Sequence, residues 1–222
     1  MKLFNRLVGE NKEIWHAYLN HEFVKRLESG VLGRENFLFY LKQDYIYLLN
    51  YAKCFASLAA AATTAQELRF AVKFQNYILE GELELHQSVL SLGIEASKLS
   101  VKDESLANIA YTRYIQSVAS SGDFLDLLVA LSSCATGYGY IGREIYARLG
   151  EAGLENHPYE SWIRTYAGEA FLAEVKAFEE FVNSYTHAVS EAKFARLSEI
   201  FYTVTRLECN FWQHGLTMQT DF

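Results

Sequence analysis

Apolar residues recur at three- and four-residue spacings along almost the whole chain. One example is the set Phe37, Tyr40, Leu41, Tyr45, Leu48 and Leu49. This spacing is the period of an amphipathic α-helix, and the two-residue alternation of strands is scarce. Half of the residues are hydrophobic and only one is proline. The pattern predicts an all-α protein built from long helices.

Polar and glycine-containing breaks separate the helical segments. They fall at residues 30–33, 63–64, 93–100, 120–122 and 150–157 and around Ser190. About seven or eight helices result, several of them approaching 25 residues. Pro158 suits the first turn of a helix, where its missing N–H needs no partner. Short connections favour an antiparallel helical bundle, and no linker divides it, so we expect residues 1–222 to form a single domain.

The charge balance narrows the range of partners. The chain has 27 acidic and 20 basic residues and a net charge of −7. No cluster of Lys and Arg could neutralise a run of phosphates, so nucleic-acid binding is not expected. No run of about 18 apolar residues is free of charge, and the N-terminus lacks a signal-peptide core. We therefore expect a cytoplasmic protein that does not span a membrane.

Cysteines and acidic residues give no sign of a metal site. Cys54, Cys134 and Cys209 are odd in number, far apart and without a C-x-x-C pair, so free thiols are expected. The acidic run Glu80, Glu82, Glu84 with His86 contains no Glu-x-x-His pair. A solvated acidic face is the expected role of that run.

Three patches carry candidate chemistry, and the first lies in the second long helical segment. Asp44, Tyr47 and Tyr51 share one helix face at i, i+3 and i+7. A buried aspartate needs polar partners, and tyrosine hydroxyls can supply them. A carboxylate there can also bind an amidine-like edge of a ligand. A polar contact that serves only helix packing is the alternative.

The second patch is a helical segment, residues 131–142, that contains three glycines. Each interior glycine costs about 1 kcal/mol relative to alanine, so the segment indicates close approach by another backbone or a ligand. Cys134 and Tyr138 project to the same side at i and i+4. The result is a thiol beneath an aromatic ring, for which a catalytic nucleophile is one role and a small buried hydrophobic residue, the commoner role of cysteine, is the alternative.

The third patch lies near the C-terminus, where Glu208 shares a face with Phe211 and Trp212. A carboxyl against aromatic rings is hard to ionise, which suits a group that gives and takes protons. A surface pair with Arg206 or another cation is the alternative.

Together the patches resemble the TenA/thiaminase II family, whose members carry Q-D-Y-x-Y-L, a central Cys with Tyr four residues later, and a terminal E-x-x-F-W. In this chain the corresponding segments begin at Gln43, Cys134 and Glu208. The resemblance implies a haem-oxygenase-like antiparallel helical bundle without haem, usually a homotetramer. It also implies hydrolysis of thiamin-derived aminopyrimidines to hydroxymethylpyrimidine for thiamin salvage, with neither metal nor organic cofactor.

The resemblance also assigns roles to residues. Cys134 matches the nucleophile and Glu208 the acid/base. The positions that match substrate-binding residues are Asp44, which would hold the aminopyrimidine edge, Tyr47 and Tyr138, which would flank the ring, and Tyr111 and Tyr166, which would hydrogen-bond around it. Retention of Cys134 places the chain in the cysteine-containing branch, whereas Gln213-His214 departs from many relatives. A thiolate can add to an electron-poor pyrimidine, after which ammonia leaves and water completes the hydrolysis.

Two other functions remain open. One is an oxidative enzyme of the same bundle fold, similar to quinone-cofactor synthases or di-iron oxidases, for which loss of Cys134 would leave activity largely intact. The other is a non-catalytic, pyrimidine-binding regulatory bundle, which would bind ligand without turnover. Within the hydrolase reading the preferred substrate, whether the aminomethylpyrimidine, its formylated form or thiamin, is also open.

Overall fold

The structure is a computed structural model, and it describes residues 1–82, 99 and 101–221. These ranges contain ten α-helices, one π-helical turn (Ile78–Glu82), one 3-10 turn (Val101–Asp103) and no strand. The α-helices are α1 (Leu3–Glu10), α2 (Lys12–Leu19), α3 (Glu22–Glu28), α4 (Arg34–Ala61), α5 (Ala65–Tyr77), α6 (Leu106–Ser121), α7 (Phe124–Leu154), α8 (Glu160–Ala167), α9 (Glu169–Ser184) and α10 (Glu191–Thr217). The all-α prediction is confirmed.

In the described ranges the predicted breaks at 30–33, 63–64 and 120–122 and at Ser190 fall at boundaries between helices, but the chain also breaks at Asn11, at residues 20–21 and at Gly168, so ten helices form where about seven or eight were predicted. At the break after α4, Thr64 caps α5: its hydroxyl accepts a hydrogen bond from the Glu67 N–H, and Oε2 of Glu67 accepts one from the Thr64 N–H. At the start of α10, the Ser190 hydroxyl accepts from the Lys193 N–H at 3.2 Å. The predicted break at 93–100 lies outside the described residues except for residue 99.

The prediction for Pro158 is wrong. Pro158 lies in a turn two residues before α8, and the ring of His157 organises that turn. Nδ1 of His157 accepts a hydrogen bond from the Tyr159 N–H at 3.2 Å, and its Nε2 lies 3.0 Å from the Glu28 carbonyl oxygen. Because side-chain bonds hold this turn, the helix begins after it.

The chain divides into two compact units. The first unit comprises Met1–Leu32 and Val129–Trp212, and the second comprises Gly33–Leu128 and Gln213–Phe222. The single domain expected for residues 1–222 stays a prediction.

Aromatic rings fill the core of the first unit. The Trp15 ring lies 6.2 Å from Phe4 and 5.5 Å from Phe201 between centroids. Tyr18 stacks on Trp212 at 6.3 Å with 20° between the ring planes. Offset and edge-on ring pairs of this kind contribute about 1 kcal/mol each beyond the area they bury. They connect the short N-terminal helices with α10.

The core of the second unit joins α4 with α5 and α6. Phe55 of α4 packs edge-on against Tyr51 at 5.2 Å and stacks on Phe74 of α5 at 5.9 Å. Gln43 of α4 and Asn108 of α6, both fully buried, hydrogen-bond to each other. Because buried amides must find partners, this pair fixes which residues of the two helices face each other.

Helix α7 is long and apolar enough to cross a bilayer by length and composition alone. In its most apolar window, however, 83% of the residues are buried inside the protein. Core helices of soluble proteins have the same character. The prediction that the chain does not span a membrane stays a prediction.

Candidate active site

The first candidate group lies in the second unit and is called here the carboxylate cluster: Tyr40, Asp44, Tyr47, Tyr51 and Tyr111. Asp44 is 3% exposed and accepts a hydrogen bond from the Tyr40 hydroxyl at 3.3 Å. Tyr47 stacks on Tyr51 at 5.3 Å and lies 4.8 Å from the Tyr111 ring. The structure therefore brings Tyr47 and Tyr111, both expected to bind substrate, into contact.

Sequence reasoning missed Tyr40. The pattern predicted that Asp44, Tyr47 and Tyr51 share one helix face, and the structure adds Tyr40, one turn before Asp44, whose hydroxyl donates to the carboxylate. The signal was present, because Tyr40 and Asp44 are four residues apart and therefore adjacent on the helix face. A fixed hydrogen bond to one carboxylate oxygen limits rotation of the Asp44 side chain.

A buried amide pair positions the carboxylate cluster. Gln43, next to Asp44, donates from Nε2 to the Asp103 carbonyl at 2.6 Å, and its Oε1 accepts from the Ser105 N–H at 3.0 Å. Asn108, three residues before Tyr111, donates from Nδ2 to the Gln43 carbonyl at 2.8 Å. Removing either amide would leave buried polar groups unsatisfied, so the pair holds α4 and α6 in one register.

The second candidate group lies in the first unit: the rings of Tyr138, Tyr166 and Trp212 are in contact, and Cys134 and Glu208 lie on the helices of Tyr138 and Trp212. Cys134 is 8% exposed and lies one turn before Tyr138 on α7. The Tyr138 ring lies 5.1 Å from Tyr166 of α8 and 5.3 Å from Trp212 of α10. Tyr138 therefore links the helix of Cys134 to those of Tyr166 and Glu208.

The glycines of α7 explain how α7 packs so closely with its neighbours. A Cβ at Gly137 would lie 2.2 Å from Cε1 of Tyr18. A Cβ at Gly142 would lie 2.6 Å from the carbonyl carbon of Tyr166 and 2.8 Å from the Ala167 nitrogen. The close approach indicated by the sequence is present, and the groups that approach are a tyrosine ring and a helix backbone. Gly142 thereby sets the position of Tyr166.

Glu208 is an interior carboxyl with 1% of its surface exposed. Phe211 and Trp212, one turn later on α10, are also buried, as expected for an aromatic-rich helix face. Arg206, the cation considered as a surface partner, is exposed. A carboxyl in this environment is shielded from bulk water, which suits proton transfer to a bound ligand.

The other two thiols differ from a reactive cysteine. Burial raises the pKa of Cys54 to about 11. Burial, with a smaller contribution from the charge of Glu208, raises the pKa of Cys209 to about 12. Since the thiolate is the nucleophilic form, a raised pKa leaves little of either side chain in its reactive form at neutral pH.

Metal ligands do not converge in the described part of the chain. Among residues 1–82, 99 and 101–221, no three His, Cys, Asp or Glu side chains are arranged to hold an ion. Glu84 and His86, which belong to the acidic run of the sequence, lie outside the described residues.

Comparison with known proteins adds an independent line of observation. The TENA/THI-4/PQQC family profile matches residues 10–218. The aminopyrimidine aminohydrolase of Halalkalibacterium halodurans is 34% identical over 208 residues, which cover 93% of this chain and 92% of that protein. A crystal structure described as a TenA family transcription regulator from Silicibacter sp. TM1040 is 35% identical, with a TM-score of 0.86 and 97% of each chain covered.

A more distant solved structure bears on the fold alone. It is a domain of unknown function with a haem-oxygenase-like fold from Shewanella denitrificans. It is 14% identical, with a TM-score of 0.70 and coverage of 97% of this chain and 92% of that domain. The expected haem-oxygenase-like fold is therefore confirmed.

Proposed function

Because this chain belongs to the TENA/THI-4/PQQC family, we propose that it is an aminopyrimidine aminohydrolase that releases hydroxymethylpyrimidine in thiamin metabolism. The observation that carries the proposal is its 34% identity, over nearly the full length of both proteins, to the Halalkalibacterium halodurans enzyme of that name. The residues needed for the chemistry support it, because Cys134, Glu208 and Asp44 are all present and buried.

Substrate binding is assigned to Asp44 and four tyrosines. The Asp44 carboxylate would accept hydrogen bonds from the amino group and from a protonated ring nitrogen of the pyrimidine. The residues that would contact the ring or hydrogen-bond around it are Tyr47, Tyr111, Tyr138 and Tyr166. The contact between the Tyr47 and Tyr111 rings and that between Tyr138 and Tyr166 support these roles, because each pair forms an aromatic surface.

Cys134 is proposed as the nucleophile. The overall reaction replaces an amine on the exocyclic methylene carbon by a hydroxyl, so aminomethylpyrimidine and water give hydroxymethylpyrimidine and ammonia. The Cys134 thiolate would add to an electron-poor ring carbon, and the electron pair displaced from the ring would expel the protonated amine. Water would then add to the methylene carbon, and cleavage of the carbon–sulfur bond would restore both the aromatic ring and the thiolate.

Glu208 is proposed as the acid/base. It would donate a proton to the leaving amine and take one from the incoming water, so its protonation state is the same before and after the cycle. Burial of the carboxyl on an aromatic helix face supports the role, because bulk water cannot then compete for the proton. The reaction changes no oxidation state, so its electron balance requires no redox cofactor.

The test is product release by the purified protein. Hydroxymethylpyrimidine is measured with the aminomethylpyrimidine, its formylated form and thiamin as parallel substrates, and ammonia is measured with the aminomethylpyrimidine, for wild type, Cys134→Ser, Glu208→Gln and Cys54→Ser. We expect the first two variants to lose at least about 100-fold in kcat and Cys54→Ser to match wild type. Folding of each variant is checked by circular dichroism.

Two other results of this assay would contradict parts of the proposal. Full activity of Cys134→Ser would contradict the nucleophile assignment, and copurifying iron would then favour the oxidative alternative. Pyrimidine binding by folded wild type without product from any substrate would contradict the hydrolase assignment and favour the regulatory alternative.

The resemblance also carries the proposals of a homotetramer and a cytoplasmic location. Light scattering after size-exclusion chromatography tests the first, with a mass of four 25.4 kDa chains as the expected value. Cell fractionation tests the second. A monomeric mass across the concentrations used in the assay would contradict the tetramer.

A further inference from the structure

Two buried hydroxyls connect the helices that carry Cys134 and Glu208. Oγ of Ser133 on α7 lies 2.8 Å from Oγ1 of Thr205 on α10. Both residues are fully buried within the first unit. Because a buried hydroxyl without a partner destabilises the folded protein, each of the two needs a hydrogen bond at this point of the core.

The direction of the hydrogen bond follows from counting hydrogens. A threonine hydroxyl has one hydrogen, and that of Thr205 is directed at the Phe201 carbonyl, 2.7 Å away in the same helix. Ser133 is therefore the donor to Thr205. The result is a chain of two bonds from Ser133 through Thr205 to the backbone of α10.

The two residues that supply these hydroxyls lie close, along their own helices, to the two proposed catalytic residues. Ser133 immediately precedes Cys134. Thr205 lies three residues before Glu208 and therefore one turn away on nearly the same face of α10. Sliding either helix by a single residue, about 1.5 Å, would break the bond and take its acceptor away from the buried Ser133 hydroxyl.

We propose that Ser133 and Thr205 are a positioning pair that holds the Cys134 thiol and the Glu208 carboxyl in the register the reaction needs. The inference rests on the proposed hydrolase function. An apolar pair would also fill the space, but it tolerates small shifts, whereas a hydrogen bond with a fixed length does not. Small displacements of reacting groups reduce rates strongly, which is why a bond outside the reaction itself can matter.

The test is a double variant, Ser133→Ala/Thr205→Val. It removes donor and acceptor together, so no buried group is left unsatisfied and the protein is expected to fold. Thr136→Val is the matched control, because Thr136 is equally buried and its hydroxyl donates to the Ser132 carbonyl at 2.8 Å within α7 itself. The conservative variant Thr205→Ser keeps a hydroxyl at the same position.

Steady-state kinetics separates positioning from a purely structural role. We expect kcat of the double variant to fall about 10-fold while KM stays within about 2-fold, because the proposed substrate-binding residues Asp44, Tyr47 and Tyr111 lie on neither of the two helices. Thr136→Val should have the kcat of wild type, and Thr205→Ser, which keeps the hydroxyl, should retain most of the wild-type kcat. Thermal unfolding of the double variant and of the control should occur at similar temperatures.

Each contrary result has one meaning. A folded double variant with wild-type kcat, or with kcat reduced no more than in Thr136→Val, would overturn the positioning role while leaving the proposed function intact. A rise in KM at unchanged kcat would overturn it as well, because the pair would then act on binding. Wild type that releases no product would instead overturn the proposed function and this inference with it.

Discussion

The hydroxyl of Tyr40 donates a hydrogen bond to Oδ2 of Asp44, one turn further along α4, and both side chains are buried. The bond is long, at 3.3 Å between the two oxygen atoms, and has the strength of an ordinary side-chain hydrogen bond at most. It orients the carboxylate proposed to hold the aminopyrimidine.

Replacing Tyr40 by Phe should therefore weaken substrate binding. Loss of one orienting hydrogen bond of about 1 kcal/mol predicts a KM about 5-fold higher, with kcat changed much less. Tyr114→Phe, which removes the same atom from half-buried Tyr114 of α6, is the control and should behave like wild type. Steady-state kinetics decides, and equal KM values for Tyr40→Phe and wild type would contradict the orienting role.

Gly142→Ala should destabilise the protein and reduce its activity. The added Cβ meets backbone atoms of Tyr166 and Ala167, which cannot rotate aside as a side chain can. Alanine has the better helix propensity, but the overpacking outweighs it, so the free energy of unfolding is expected to fall by about 2 kcal/mol. Urea unfolding measures the loss, and the displaced Tyr166 should raise KM.

Gly9→Ala is the matched control for that substitution. Nothing lies within 4 Å of a Cβ at Gly9, which also lies within a helix. Here the substitution should raise the free energy of unfolding by up to about 1 kcal/mol. If Gly9→Ala and Gly142→Ala lowered the free energy of unfolding by similar amounts, the close approach at Gly142 would not be the cause of the destabilisation.

Alkylation should distinguish the three cysteines. Raised pKa values of about 11 for Cys54 and about 12 for Cys209 leave about 0.1% or less of each as thiolate at pH 8. We expect iodoacetamide to modify Cys134 first in the native protein, with added hydroxymethylpyrimidine slowing the reaction. Peptide mass spectrometry gives the order of modification, and equally fast labelling of Cys54 or Cys209 would contradict the prediction.

His21 should make stability depend on pH. It caps α3 by accepting the Phe23 N–H at Nδ1, and burial holds its pKa below the usual 6.5. Below pH 6.5 the unfolded chain therefore binds more protons at this residue than the folded one, so stability falls as the pH falls through 6.5 toward the lower folded pKa. Above pH 6.5 this contribution is constant.

Thermal unfolding of wild type and His21→Asn between pH 5 and 8 measures that contribution. Asparagine can still cap the helix but does not titrate. As the pH falls, the melting temperature of His21→Asn should therefore rise relative to that of wild type. A difference that is independent of pH would show that His21 does not carry the effect.

Local patterns in the sequence predicted those features of the fold that are determined by residues close together on one helix. The helix period predicted α4 and α7, and the breaks at Thr64 and Ser190 predicted where α5 and α10 begin. The glycines near Cys134 predicted that another group closely approaches α7. Each of these is set within a few residues by backbone geometry and hydrogen bonding.

Pairings over long distances in sequence could not be predicted. Gln43 with Asn108 and Ser133 with Thr205 join residues 65 and 72 positions apart, and nothing in either segment alone specifies its partner. A helix period also cannot choose between Tyr40 and Tyr47 as the neighbour of Asp44, because residues three and four positions away both share its face.

The order in which the first unit's two segments are synthesised has a consequence for how the protein folds in the cell. Tyr18 stacks on Trp212, which lies 194 residues later in the sequence (212 − 18), so the two partners leave the ribosome at well-separated times. At about 5–20 residues per second this delay is on the order of 10–40 s. During that time the apolar faces of α1 and α2 lack their final partners, so nascent chains should depend on chaperones more than a protein whose N-terminal helices pack only with each other.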